Sequence, residues 1–82
     1  LYSQSVTVSG TKVLTVDISL TSFDQVKWLD VTGCPNITTI VLHSYYLKTL
    51  YVTQEQKEAI DGGSITIQDS NYPTSTLQII VR

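Results

Sequence analysis

The sequence predicts a mainly β fold: a short solenoid of stacked strands, with one short helix near 53–62 and a β cap at each end. Three observations carry this. Val, Ile, Leu and Thr dominate the composition, which favours strands. Short segments with apolar residues at i, i+3 and i+5 recur along the first two thirds of the chain. Helix punctuation occurs in one place only, at Thr53–Gly63.

The elements follow in order. Ser5-Val6-Thr7-Val8-Ser9-Gly10 alternates polar and apolar and ends in a turn former, so 5–12 is expected to be an N-terminal cap strand. The repeats fill 13–52. Their copies are Val13-Leu14-Thr15-Val16-Asp17-Ile18, Val26-Lys27-Trp28-Leu29-Asp30-Val31, Ile37-Thr38-Thr39-Ile40-Val41-Leu42 and Leu47-Lys48-Thr49-Leu50-Tyr51-Val52. Within each copy the last two apolar positions are two apart and share one face of a strand. Leu29 and Val31, Ile40 and Leu42, and Leu50 and Val52 are therefore expected to face inward. Trp28 and Asp30 are expected to face outward. The first apolar residue of each copy turns the chain into its strand.

Copies starting at 26, 37 and 47 are 11 and 10 residues apart, too short for a full coil. Two steps make 21 residues, enough for one coil with a strand on each side. Gly33-Cys34-Pro35-Asn36 and His43-Ser44-Tyr45-Tyr46 are the turns. Thr53-Gln54-Glu55-Gln56 reads as a capping box opening a helix, with Glu55 favoured in its first turn, and Gly62-Gly63 as a left-handed stop. Residues 63–82 are expected to form a C-terminal β cap, with 64–68 and 76–81 paired as a hairpin. No linker divides the chain, so 1–82 is one domain. The same spacing also fits an antiparallel β-sandwich. The sense of strands 26–31 and 47–52 decides between them.

Composition excludes several function classes. With 41% hydrophobic and only 15% charged residues, the chain is not a disordered segment. Its net charge is -2 and its five basic residues are scattered, so no surface is offered to nucleic acid. No apolar run approaches the roughly 18 residues of a membrane span. The lone cysteine, Cys34, closes no intramolecular disulfide, and neither it nor His43 has the neighbours of a metal site; no metal or cofactor is expected. Cys34 and His43 are also the one nucleophile-and-base pair, but no orienting third group accompanies them. The expectation is a non-enzyme with Cys34 as a small buried residue. Asn36-Ile37-Thr38 matches a glycosylation sequon, a three-residue pattern read here as chance. The chain does not begin with Met, so it is expected to be a processed or trimmed product.

The run Val26-Lys27-Trp28-Leu29-Asp30-Val31-Thr32-Gly33-Cys34-Pro35-Asn36-Ile37-Thr38-Thr39-Ile40 resembles bacterial leucine-rich repeats of the short 21-residue type, found in surface proteins of the Bacteroides group. The exit from Leu47–Val52 into the capped helix is similar to the end of such arrays. The resemblance covers about residues 13–61 and implies an exported or cell-surface scaffold for protein contacts, with no catalytic residues to carry over. His43-Ser44-Tyr45-Tyr46 departs from the usual Asn-rich turn, and only about two coils are present. Flanking β caps or self-association must then complete the array.

The candidate binding residues are Trp28, Asp30, Thr49 and Tyr51, expected on the outer face of neighbouring strands, with Tyr45 beside them. Exposed Trp and Tyr dominate binding hot spots, and aromatic faces also stack on sugars. The plainer alternative is that these residues merely cover the sheet. The expected partner is a protein or a glycan. The competing role is a structural cap or a self-associating spacer of a larger repeat protein.

Overall fold

The computed structural model describes residues 5–19, 26–43, 47–69 and 77–82. In chain order the elements are β1 (Ser5–Ser9), β2 (Thr15–Asp17), β3 (Trp28–Gly33), β4 (Thr39–Leu42), β5 (Thr49–Val52), α1 (Gln54–Gly62), β6 (Thr66–Asp69) and β7 (Gln78–Val81). The strands form two sheets. One has the order β1-β3-β5-β7, the other β2-β4-β6. Each strand belongs to the opposite sheet from the one before it.

All five strand ladders are parallel. The antiparallel meander finds no support among them, and β3 and β5, the deciding pair, run in the same sense. A parallel pair cannot be joined by a tight turn. Here each connection passes through a strand of the other sheet. Register places like residues side by side: Leu29 against Leu50 and Leu50 against Ile79 in one sheet, Val16 against Ile40 and Ile40 against Ile67 in the other.

Period-2 alternation sends these aliphatics into the space between the sheets. Leu29, Val31, Ile40, Leu42, Leu50 and Val52 are all inaccessible to solvent and belong to a single cluster. The residues that lead into the strands, Val26, Ile37 and Leu47, are buried in the same cluster. Stacking continues past the strands. Thr38 and Thr39 amides donate to Leu14 O, and Lys48 and Thr49 amides donate to Lys27 O. The radius of gyration, 11.7 Å, is that of a close-packed chain of this length.

The C-terminal hairpin expected from the sequence is not formed. β6 and β7 lie in different sheets, each adding a parallel strand, because Ile67 packs in register beside Ile40 and Ile79 beside Leu50. The tail extends the alternating pattern instead of closing it.

Two local features fix the connections. The first is α1. Thr53 Oγ1 accepts from the Gln56 amide, and the Gln56 side chain accepts from the Thr53 amide at 2.8 Å, a complete capping box. The helix ends at Gly63, whose φ of 87° lies in the left-handed region that glycine adopts without penalty. The second is Gly33. A Cβ there would fall 2.7 Å from Ser9 Cβ, so the close approach of β1 to the end of β3 requires glycine.

A candidate binding face on the four-stranded sheet

The outer face of the β1-β3-β5-β7 sheet is set by alternation. Opposite the buried positions it presents Ser5 and Thr7, Trp28 and Asp30, Thr49 and Tyr51, and Gln78 and Ile80. In register, Trp28 lies between Ser5 and Thr49, and Asp30 lies between Thr7 and Tyr51. Four of the five candidates from the sequence thus fall on one patch. The fifth, Tyr45, lies outside the described residues.

The four are not equivalent. Trp28 is exposed, and Asp30 and Tyr51 are half-buried. Thr49 shares the outer face, as expected, but is buried there, with 8% of its surface accessible. It sits on a central strand between Trp28 and Gln78, and neighbours of that size leave a short side chain little access to solvent.

Asp30 is held from two directions. Its Oδ1 accepts from the Thr32 amide at 2.9 Å and from the Thr32 hydroxyl at 2.6 Å. Its Oδ2 accepts from Arg82 Nη1 at 2.5 Å. The guanidinium also lies over the Tyr51 ring, 4.0 Å from its centroid, in cation–π range. Burial alone would raise the Asp30 carboxyl pKa. The Thr32 hydrogen bonds and the Arg82 charge outweigh it, and the net shift is downward. Ser5, Thr7, Trp28, Asp30, Tyr51 and Arg82 line a shallow recess of about 250 Å³.

Sequence reading missed Arg82. It is 52 positions from Asp30, and no local motif joins them. Its backbone amide donates to Val52 O, which continues the β5–β7 ladder by one residue. Counting by twos from Ile80, the in-register partner of Tyr51, puts Arg82 on the outer face. That alternation was the available signal, once β7 was known to run parallel to β5.

A second recess, about 520 Å³, opens between the 33–38 turn and α1, with Ile37 and Ile65 among its lining and Asn36 and Glu55 beside them. Gln56 closes its inner side. This buried amide donates to Val31 O at 2.7 Å and Cys34 O at 3.0 Å while its oxygen completes the helix cap. The sequence identified Gln56 only as a capping residue. Asn36 Nδ2 donates to Thr11 O at 2.7 Å.

Cys34 is inaccessible, and its thiol donates to Val8 O at 3.3 Å. Burial, with a smaller effect from Asp30, pushes its pKa up, the reverse of what activates a thiolate. Among the described residues no group of three or more His, Cys, Asp or Glu side chains is placed to hold a metal ion. No described helix is long and apolar enough to cross a membrane. Comparison with family models, curated proteins and solved structures finds no match to the chain.

Proposed function

We propose that the chain is a non-catalytic binding module of an exported or cell-surface protein, built as a short leucine-rich-repeat-like β solenoid, whose four-stranded sheet contacts a protein partner. The strand-by-strand alternation between two parallel sheets supports the solenoid reading. The observation that carries the binding reading is the exposed Trp28, next to a half-buried Tyr51 and an Asp30–Arg82 pair around one recess. Trp, Tyr and Arg are the residues that anchor interfaces. The recess is smaller than the roughly 300–1,000 Å³ of pockets that enclose small molecules, so it suits a side chain of a larger partner.

The test is selection of binders from a displayed peptide library on the immobilised 82-residue chain, followed by counter-screening on Trp28→Ala and Tyr51→Ala. Binders weakened about tenfold or more, with circular dichroism unchanged, are the expected result. Binders indifferent to both substitutions refute the assignment of this face. A glycan array read with the same two variants covers the sugar-binding alternative.

A structural or self-associating role is favoured by a different observation. Ile80 and Val81, on the edge strand β7, are 39% and 41% exposed. Apolar residues on a sheet edge invite pairing with another chain. Sedimentation at two concentrations separates this reading: a concentration-dependent mass supports it, and a monomer at both opposes it.

A further inference from the structure

The group this recess recognises is legible from the contacts that Arg82 makes along its lining. The floor offers one carboxylate oxygen, Asp30 Oδ2, with the other oxygen locked by Thr32. An aromatic face, Tyr51, stands beside it at the distance at which a planar cation stacks. Trp28 and the hydroxyl-bearing Ser5 and Thr7 form the far wall. A half-buried carboxylate and an adjoining ring are what a guanidinium recognises: a charge-assisted hydrogen bond in the plane, and cation–π stacking on the flat face. Arg82 makes both contacts. Its side chain is nevertheless 55% exposed, whereas that of Asp30 is 13% exposed. The seat is better buried than the group now sitting in it.

We propose that this seat binds the side chain of an arginine in a partner protein, and that Arg82 is an internal occupant which the partner's arginine displaces. The inference rests on the reading of this face as a protein contact and names the group recognised. Lysine is a poorer fit, because an ammonium lacks the planar face that lies on Tyr51. Self-occupancy lowers the affinity for an outside guanidinium by the fraction of time Arg82 holds the seat. An ion pair this exposed is weak, so removing Arg82 is expected to tighten binding by up to about fivefold.

The experiment is a titration of the isotope-labelled 82-residue chain with N-acetyl-arginine amide, followed by NMR at the Trp28 indole N–H and the Asp30 and Tyr51 amides. Saturable shifts are expected in the wild type and at lower ligand concentration in Arg82→Ala. They are expected to vanish in the Arg82→Ala, Asp30→Asn double variant. N-acetyl-lysine amide is expected to bind more weakly than the arginine compound. Arg82→Gln serves if Arg82→Ala loses its native spectrum. Absence of saturable shifts in the folded Arg82 variants overturns the proposal, as does binding that survives loss of the Asp30 charge or fails to favour arginine. Displayed peptides that require Trp28 but carry no arginine also overturn it, while leaving this face as the contact. Binders indifferent to Trp28 and Tyr51 remove the face itself.

Discussion

The two sheets carry the same small device and use it differently. On the three-stranded sheet, Asp17 Oδ1 accepts from the Ser19 amide at 2.9 Å and the Ser19 hydroxyl at 2.7 Å. On the four-stranded sheet, Asp30 makes the same bracket with Thr32. In both, a residue two positions on satisfies the carboxylate, at the end of β2 for Asp17 and within β3 for Asp30. Asp17 stands on the edge strand β2, with Val41 as its in-register neighbour, and is exposed. Asp30 stands on the inner strand β3, between Thr7 and Tyr51, within reach of Arg82. The local motif is a structural bracket in both places. Neighbours across the ladder are what turn one of them into a candidate site.

The comparison can be broken most forcefully from underneath. Leu29, adjacent to Asp30, is fully buried, and Leu29→Ala is expected to cost about 2–5 kcal/mol in urea denaturation. Val16, adjacent to Asp17, is 5% exposed on an edge strand; Val16→Ala removes fewer atoms and is expected to cost about 2 kcal/mol or less. Equal losses would show that the sheets rest on the core alike. Next in size is Gln56→Ala, which removes the buried side-chain donor shared by Val31 O and Cys34 O and leaves each with one backbone amide, from Cys34 and Ile37. A loss of about 1–3 kcal/mol is expected, with faster amide exchange at the start of α1.

A direct comparison of the brackets follows. Asp30→Ala removes hydrogen bonds to a partly buried carboxylate and is expected to cost about 1–2 kcal/mol. Asp17→Ala, on a fully exposed group, is expected to cost less. A larger loss at Asp17 would reverse the ranking.

The smallest effect is acid sensitivity. The folded Asp30 carboxyl titrates below its ordinary value of 3.8, so its ionised form is the one that folding favours. That contribution is complete above pH 3.8 and is lost as pH falls through the lower folded value. Asp30→Asn is therefore expected to lose stability less steeply with acid below pH 3.8 than the wild type, measured by urea midpoints across pH 2–6. Identical slopes would mean that the Thr32 and Arg82 contacts do not bias the carboxyl in solution.

Much of this was legible in the residues. Alternation assigned Leu29, Ile40 and Leu50 to the interior, and the 21-residue step placed Trp28 beside Thr49 and Asp30 beside Tyr51. The helix was readable because capping is local: Thr53, Gln56 and Gly63 each act within one turn of their own position. The failures are all non-local. Thr49 has the right parity for exposure, but parity is silent about the larger neighbours in register on each side. Residues 64–68 and 76–81 are two strand-like segments joined by a polar loop, as a hairpin would be, and nothing in either tells which older strand it will join. Gln56 reaching Val31 O, and Arg82 reaching Asp30, require the topology first.

Gly33 holds a hinge point in this arrangement. Where a Cβ would collide with Ser9, a single methyl group pushes the end of β1 away from β3. The bond from the Gly10 amide to Gly33 O, 3.0 Å long, would go with it. Gly33→Ala therefore offers a way to uncap one margin of the molecule, lifting the half-buried Val6 and Val8 from the core without substituting any core residue. A chain so opened would show its next strand's bare amides and carbonyls to the solution, and its tendency to fibrillise would measure how much protection five residues at the margin provide.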